Sequence, residues 1–323
     1  MINVLIVGLG NIGTRHLQSL INAKNKINFY ILEKNNKNIH NFKINFLSNK
    51  LIHNFFFFNN VIKLKKKKFN FSIFSTSSDV RLFLLKKILK NNIIKNILFE
   101  KVVFQSSKQF DLALELINKF NIKSWVNCPR RSLIFFKNLK KKIIYKNKFE
   151  LIHRGSNWGL CSNAIHFFDL FSYFVKKKII YKKNLLKKKV IRSKRKNFYE
   201  LCGTLILSTK DHKEKLILNC QEGNKVSSFT EIKFDNFKIK INNNKSKENV
   251  FFYKNNKIFQ KKTFLIPFQS AMSLGIMNKI LNFNKCNLIS LKDSYELHEV
   301  LLDIFTKQFN LINGTRIINC PIT

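Results

Sequence analysis

Residues 4–13 of the 323-residue chain read Val4-Leu5-Ile6-Val7-Gly8-Leu9-Gly10-Asn11-Ile12-Gly13. The first four residues are apolar and mostly branched, as in a strand that is buried on both faces of a sheet. The glycines follow with G-x-G-x-x-G spacing, and apolar positions then recur at helical spacing from residue 14 to 23. In this context the glycines provide a tight turn, close backbone approach to a diphosphate, and close packing of helix on strand. The stretch predicts a dinucleotide-binding unit with cofactor contacts at Gly8, Gly10, Asn11, Ile12 and Gly13.

An acidic residue about twenty positions after this turn is expected to bind the ribose hydroxyls of the dinucleotide. Glu33 lies at that distance from Gly13 and ends a second apolar run, residues 29–32. Its negative charge would repel a 2′-phosphate, so NAD is favoured, and the neighbouring Lys34 keeps NADP as the alternative. Ser75 and Thr76 follow another apolar run, residues 71–74, and are predicted as further cofactor contacts.

The order of apolar runs predicts an α/β fold with two domains. Strand-like runs alternate with amphipathic helical segments up to about residue 125, which is typical of an N-terminal Rossmann domain with a doubly wound parallel sheet. Beyond this point helices are expected from Pro129 to about Lys142 and over residues 163–176, and six strand-like runs follow between residues 201 and 264. We therefore expect a dinucleotide-binding domain over 1–125. The remainder, 126–323, is expected to form an α+β domain that binds substrate, with an open, mainly antiparallel sheet free to form a homo-oligomer.

Four motifs in the chain occur in an order that identifies a resemblance. They are residues 8–16 (Gly-Leu-Gly-Asn-Ile-Gly-Thr-Arg-His), 99–101 (Phe-Glu-Lys), 126–130 (Val-Asn-Cys-Pro-Arg) and 162–170 (Ser-Asn-Ala-Ile-His-Phe-Phe-Asp-Leu). Together they resemble the Gfo/Idh/MocA oxidoreductases, the group of glucose–fructose oxidoreductase and inositol dehydrogenase. The resemblance covers essentially the whole chain. It implies an NAD(P)-dependent enzyme that transfers a hydride between nicotinamide and a sugar or sugar derivative.

The same motifs indicate which side chains would carry the chemistry. Hydride transfer at a sugar carbon needs a group that exchanges the hydroxyl proton and stabilises charge on the oxygen. Lys101 at a strand end can supply positive charge, and Glu100 can orient it or bind the nicotinamide ribose. His166 has an unperturbed pKa near neutrality, and Asp169 lies one helical turn further on the same face. The predicted catalytic residues are Lys101, His166 and Asp169, and the predicted substrate contacts are Asn127, Arg130, Trp158, Ser162 and Asn163.

The chain departs from the motifs of these oxidoreductases at two positions. Val102 stands where the resemblance implies Pro, and Ser162 stands where it implies an Asp four residues before the helix histidine. These departures motivate an alternative, a catalytically silent dinucleotide-binding member that acts as a sensor or partner subunit. Residues 156–159 (Ser-Asn-Trp-Gly) and 320–323 (Cys-Pro-Ile-Thr) are similar to members from surface-polysaccharide sugar pathways.

Composition excludes several classes of protein. With 45% hydrophobic and 24% charged residues, the chain is expected to be globular, and 9 Gly and 3 Pro exclude a collagen-like or linker composition. The formal charge is +42, from 60 basic and 18 acidic residues. Because Lys, Asn, Ile and Phe are all abundant, we attribute this charge to A- and T-rich codons and expect no specific nucleic-acid partner. The cysteines form no C-x-x-C pair and the histidines lack ligand spacing, so no metal is expected. The chain shows no secretory leader and no membrane-spanning stretch, which predicts a cytoplasmic protein.

Overall fold

The computed structural model describes residues 1–47, 52–143, 148–223, 226–242 and 247–323. Within these ranges the strands are β1 (Ile2–Val7), β2 (Ile27–Leu32), β3 (Asn54–Phe58), β4 (Lys68–Phe69), β5 (Phe71–Phe74), β6 (Ile93–Ile94), β7 (Asn96–Phe99), β8 (Lys123–Val126), β9 (Phe149–Ser156), β10 (Ile179–Arg192), β11 (Tyr199–Thr209), β12 (Glu214–Gln221), β13 (Phe229–Phe234), β14 (Phe237–Asn242), β15 (Lys247–Lys254), β16 (Lys257–Leu265) and β17 (Ile289–Ser290). The helices are α1 (Asn11–Leu20), α2 (Asn36–Phe46), α3 (Ser78–Leu89), α4 (Ser107–Lys119), α5 (Ile134–Ile143), α6 (Leu160–Val175), α7 (Gln269–Phe283) and α8 (Leu291–Asn313), with 3₁₀ turns at Val61–Lys63 and Pro129–Ser132.

The chain forms two compact units. The first comprises Met1–Phe104, Lys108–Asn127 and Pro267–Lys292, and the second comprises Gln105–Ser107, Cys128–Ile266 and Asp293–Thr323. The sequence predicts a single boundary after residue 125, which places residues 267–292 in the C-terminal domain, whereas the structure places them in the first unit. This segment belongs to the first unit because Met277 and Ile280 of α7 share one apolar core with Leu17 and Leu20 of α1. The predicted roles of the two domains stay predictions.

The first unit is built on a doubly wound sheet. Its strand order is β17-β8-β7-β5-β1-β2-β3, and all neighbours are parallel except the short edge strand β17. Strands β1, β5 and β7 are buried along most of their length, as their unbroken apolar sequences predict. The chain order reverses between β1 and β5, so the turns after these two strands meet at the carboxyl edge of the sheet. This edge carries the predicted cofactor residues.

The second unit contains an eight-stranded sheet with the order β10-β11-β12-β9-β13-β14-β15-β16. Every neighbouring pair is antiparallel except β12 and β9. Helix α6 packs against β9, β11 and β12, and it is so apolar that most of its residues are buried. The two sheets confirm the predicted fold class, a Rossmann domain with an additional α+β part.

Two helices of the second unit differ from their predicted bounds for identifiable reasons. The helix expected to open at Pro129 is instead a 3₁₀ turn, and α5 begins only after Leu133, which is extended with ψ 135°. The side chains of this turn are held by contacts with α6, described below. Helix α6 begins at Leu160 rather than at 163 because the Glu200 carboxylate accepts the N–H groups of Cys161 and Ser162.

Candidate functional site

The glycine turn after β1 is closely packed at two of its three glycines. Gly8 has a φ of +94°, and a Cβ there would lie 2.8 Å from Cγ2 of Thr76. A Cβ on Gly13 would lie 2.0 Å from the carbonyl oxygen of Gly8. No real side chain is accommodated at such distances, so the fold itself requires glycine at both positions.

Gly10 is different, because no contact within the described part of the chain requires it to be glycine. It precedes α1 with φ −67° and ψ −172°, a conformation open to any residue, and a Cβ there would have no atom of the described chain within 4 Å. No described side chain caps α1, and the first N–H groups of a helix have no partner inside the helix. The N–H groups of Asn11 and Ile12 are among these first N–H groups of α1. The turn therefore presents N–H donors and the positive end of a helix dipole beside empty space, which suits an anion.

Glu33 lies beside the glycine turn, as the sequence predicts. Its Oε2 accepts the N–H of Leu9 at 2.6 Å, and its Oε1 accepts the N–H of Asn35 at 2.8 Å. The side chain is therefore fixed by backbone donors on both oxygens. Each carboxylate oxygen has a second lone pair, so the predicted bond to ribose hydroxyls is chemically open and stays a prediction.

Ser75 and Thr76 pack against the same turn from the end of β5. The Ser75 hydroxyl donates to the carbonyl oxygen of Gly8 at 2.7 Å and also contacts that of Val7 at 3.1 Å. Ser75 therefore stabilises the turn, and its predicted contact with a cofactor stays a prediction. The Thr76 hydroxyl is buried and has no hydrogen-bond partner among the described residues, so it is the better candidate for a cofactor contact.

Glu100 is the centre of a buried polar network. Its Oε1 lies 2.9 Å from Nε2 of His16, and it also accepts a hydrogen bond from the side-chain amide of Asn127. Burial by itself raises the pKa of Glu100, but the bonds from His16 and Asn127 and the charge of Lys101 hold this pKa below its ordinary value. Glu100 is therefore a carboxylate at neutral pH.

The network continues into α7, which the sequence did not indicate. Gln269 accepts a bond from the Asn127 amide at 3.0 Å, and Ser273 lies 2.7 Å from Nδ1 of His16. No local signal marks these residues, because they lie more than 140 positions from their partners. Asn127 is nearly fully buried, yet its Oδ1 has no hydrogen-bond partner among the described residues. Its predicted contact with substrate stays a prediction, and its free acceptor equally suits a cofactor.

Lys101 is the second residue after β7 and is half-buried. Its charge acts on Glu100, its neighbour in sequence. Val102, at the position where the resemblance implies Pro, is fully buried, and the Lys101–Val102 peptide is cis. The first unit thus places its predicted cofactor residues along one edge of its sheet.

In the second unit, Asp169 is engaged by Arg131. Nε of Arg131 donates to Oδ2 of Asp169 at 3.0 Å, and its Nη2 lies 2.8 Å from Oδ1. Asp169 is fully buried, and burial raises its pKa to about 7 against the opposing effect of Arg131. Asp169 is one of the predicted catalytic residues, and that role stays a prediction. Its contacts anchor to α6 the turn that carries Arg131.

Arg130, from the same turn, lies on the ring of Phe167 with its guanidinium carbon 4.5 Å from the ring centroid. It is half-buried and interacts electrostatically with Glu248, whose pKa is raised to about 7 by burial against the effect of Arg130. Oε2 of Glu248 is buried with no hydrogen-bond partner among the described residues. The His153 ring also stacks on Phe167, with 4.1 Å between the ring centroids. Arg130 is thus held as a cation on an aromatic surface.

The remaining predicted residues lie at the start of α6. The side-chain amide of Asn163 donates to the carbonyl of Trp158 at 2.7 Å, and the Trp158 indole donates to the carbonyl of Asn219 at 2.9 Å. The backbone N–H of Ser162 donates to Oε1 of Glu200 at 3.3 Å. His166 is half-buried one helical turn beyond Ser162. The second unit therefore gathers Arg130, Trp158, Ser162, Asn163, His166 and Asp169 around one helix, and their contact with substrate stays a prediction.

Among the described residues, no helix is both long and apolar enough to cross a membrane. The described part of the chain also contains no group of three or more His, Cys, Asp or Glu side chains arranged for a metal ion.

Comparison with known proteins identifies the fold. No family model matches the chain, and no curated protein sequence matches it. Solved structures do match. The chain is similar to KijD10, a 3-ketoreductase from Actinomadura kijaniata in complex with TDP-benzene and NADP, at 12% identity and a TM-score of 0.69, over 94% of this chain and 96% of that one. It is similar to scyllo-inositol dehydrogenase from Lactobacillus casei with bound NAD(H) and scyllo-inositol, at 16% identity and 0.64, over 94% and 95%. It is also similar to a Gfo/Idh/MocA family oxidoreductase from Vibrio cholerae, at 12% and 0.66, over 97% and 100%.

These similarities confirm, at the level of fold, the resemblance that the four sequence motifs predict. Each covers nearly the whole of both chains, so the two-part architecture is shared and not only the Rossmann domain. The predicted homo-oligomer, the absence of a nucleic-acid partner and the cytoplasmic location stay predictions.

Proposed function

We propose that this chain is an NAD(P)-dependent oxidoreductase that acts on a hydroxyl or keto group of a sugar or sugar derivative. The observation that carries the proposal is Gly10, which is the one glycine of the turn that packing within the protein does not explain. A diphosphate that approaches the backbone at the start of α1 would explain it, because a side chain there would occupy the same space. The fold shared with KijD10 and scyllo-inositol dehydrogenase, whose structures hold NADP and NAD(H), supports the same conclusion.

The residues at the edge of the first sheet fit a bound dinucleotide in chemistry as well as in shape. Two buried polar atoms, the Thr76 hydroxyl and Oδ1 of Asn127, lack partners in the described chain and could bond a ligand. Glu33 is held beside the glycine turn and would bind ribose hydroxyls, which favours NAD over NADP. When bound, a nicotinamide would accept a hydride from a sugar carbon or return one to it.

The chain's own residues would handle the proton that accompanies this hydride. In the oxidation direction the hydroxyl O–H bond breaks, and the proton must pass to a protein group while negative charge develops on the oxygen. We assign stabilisation of that oxygen to the Lys101 ammonium, beside the ionised Glu100, and proton exchange to His166. Asp169 is bonded to Arg131, so we assign it to anchoring and not to proton transfer.

Arg130 suggests that the substrate carries an anionic group. Its guanidinium is fixed on Phe167 and interacts with Glu248, a carboxyl whose raised pKa of about 7 leaves it partly neutral at physiological pH. A nucleotide-linked or carboxylated sugar would suit this cation. Together with the motif around Trp158, this supports a role in surface-polysaccharide sugar biosynthesis as the finer form of the proposal.

The cofactor proposal is tested by titrating the purified protein with NADH and NADPH and following the fluorescence of the bound nicotinamide. Gly10→Arg should weaken NADH binding at least 100-fold because its side chain fills the diphosphate position. Gly275→Arg is the matched control: Gly275 is exposed in α7, and a Cβ there also has open space. Equal affinity in the two variants would overturn the proposed binding mode.

The activity is tested by the absorbance change of NAD(H) at 340 nm with a panel of inositols, free sugars and UDP- or dTDP-linked hexoses, in both directions. With any substrate found, Lys101→Met and His166→Asn should each lower kcat about 100-fold or more and leave NADH affinity within threefold. Lys123→Met, at an exposed lysine on β8, should leave both unchanged. Tight NADH binding with no turnover across the panel would instead favour a silent sensor or partner subunit.

A further inference from the structure

Arg81 of α3 is fully buried, and its guanidinium is bonded to four main-chain carbonyl groups. Nη1 lies 2.7 Å from each of the carbonyl oxygens of Glu100, Val102 and Val103, so its two N–H groups are shared among three acceptors. Nη2 donates to the carbonyl oxygen of Thr76. A buried charge destabilises a protein by several kcal/mol unless polar groups surround it. Here carbonyl dipoles supply that environment, so the arginine is held at a defined place.

The bonded carbonyl groups lie close in sequence to Lys101, the residue that we propose stabilises the reacting oxygen of the substrate. Glu100 and Val102 are the residues immediately before and after Lys101. Arg81 therefore bonds helix α3 to the peptide group that precedes Lys101 and to the two peptide groups that follow Val102 and Val103. Because the direction of a side chain follows from the backbone that carries it, these bonds set the direction in which Lys101 leaves the chain.

The fourth bond connects this segment to the glycine turn. Thr76 packs against Gly8 so closely that a Cβ on Gly8 would lie 3.0 Å from the Thr76 main-chain nitrogen. One guanidinium thus joins the loop that supports the dinucleotide turn to the segment that carries Lys101. Lysine could not replace it, because a single ammonium nitrogen cannot reach the carbonyls of two loops with the planar geometry of arginine.

We propose that Arg81 is a positioning residue that holds Lys101 at the nicotinamide end of the dinucleotide site. The inference rests on the proposed function, since it takes Lys101 to act beside a bound nicotinamide. It assigns Arg81 no contact with cofactor or substrate. Loss of the guanidinium should therefore disturb Lys101 and leave dinucleotide affinity nearly unchanged.

A test that needs no identified substrate uses NADH as the probe and acetic anhydride as the label. Bound NADH should shield the Lys101 amine from acetylation, measured by mass spectrometry of the peptide that contains it. In the unaltered chain we expect saturating NADH to slow labelling of Lys101 at least 10-fold. In Arg81→Lys the shielding should fall to twofold or less, while the Kd for NADH stays within threefold. The matched control is Arg192→Lys, at an exposed arginine on β10, which should behave as the unaltered chain.

Arg81→Gln keeps the inference testable if Arg81→Lys does not fold, because glutamine buries no charge and still donates two hydrogen bonds. Where a substrate is known, both variants should lower kcat at least 10-fold with KM for NADH little changed. Full shielding and full kcat in a folded Arg81 variant would overturn the inference. An equal loss of NADH affinity and shielding would also overturn it, since Arg81 would then support the cofactor site as a whole. Absence of NADH binding by the unaltered chain would refute the proposed function itself.

Discussion

His153 should make the second unit sensitive to acid. Its ring is buried between aromatic neighbours, with the Phe167 ring stacked on it and the Trp158 ring edge-on at 4.7 Å, and its Nδ1 lies 3.0 Å from the Thr230 hydroxyl. Burial, with a contribution from the charge of Arg130, lowers the pKa of His153 from 6.5 to about 3. The imidazole is therefore neutral in the folded chain at pH values near neutrality.

The sign and size of the effect follow from proton linkage. A histidine with a depressed pKa in the folded state contributes stability above its unfolded pKa, and this stability is lost as pH falls toward the folded value. Between pH 7 and pH 4.5 the unfolded chain binds nearly one proton more than the folded chain at this site. The free energy of unfolding should fall by about 2 to 3 kcal/mol over that interval.

The assay is urea unfolding at pH 7 and pH 4.5, followed by the fluorescence of Trp158 in a Trp125→Phe background. His153→Phe keeps an aromatic ring against Phe167 and cannot titrate, so it should reduce the loss of stability between the two pH values by about 2 to 3 kcal/mol. His40→Gln, at an exposed histidine on α2, is the control and should keep the parent's pH dependence. If His153→Phe lost as much stability on acidification as the parent, the reasoning would be refuted.

Three further predictions concern the packing of the site. In urea unfolding, Gly13→Ala should lower the free energy of unfolding by about 3 kcal/mol or more, because its Cβ would overlap the carbonyl of Gly8. Gly10→Ala should stay within about 0.5 kcal/mol of the parent. Equal effects of the two variants would contradict the conclusion that packing requires glycine at position 13 but not at position 10. Arg131→Met should cost about 3–5 kcal/mol by stranding the buried Asp169, and adding Asp169→Leu should recover most of it in a double-mutant cycle. Because the pKa of Glu100 is lowered in the folded chain, its ionised carboxylate stabilises the fold at pH values above its ordinary pKa of 4.5, and this stability is lost as pH falls. Glu100→Gln should therefore be less stable than the parent at pH 7, and the difference in the free energy of unfolding should shrink toward pH 3. A difference that stays constant with pH would exclude an ionised Glu100.

The parts of the fold that the sequence predicts well are those fixed by neighbours along the chain. The run from Val4 to Val7, the glycine turn and the start of α1 are set by contacts within a few residues, and the structure has them where the pattern indicates. Strand β10 and helix α2 were not predicted, because lysines and asparagines interrupt their apolar periodicity. Such segments adopt regular structure only when a neighbouring strand or core supports them.

The candidate site shows the same limit more clearly. Glu33 could be predicted because its distance from the glycine turn is fixed by one strand and one helix. The bond of Asp169 to Arg131 joins residues 38 positions apart, and that of His16 to Ser273 joins residues 257 apart. Neither separation leaves a periodic trace in the sequence. For this reason the motifs could name candidate residues at α6 but could not indicate which of them bond to internal partners.

The return of α7 to the first unit has a consequence for how the protein is made. The ribosome completes Asn127 long before it reaches Lys292, and the intervening 165 residues take about 10 to 30 s to synthesise at typical rates. Throughout this interval the apolar surface of α1 that α7 later covers is exposed on the nascent chain. A ribosome-associated chaperone would have its main opportunity to bind during that interval, and the amino-terminal portion expressed by itself would leave this apolar surface uncovered.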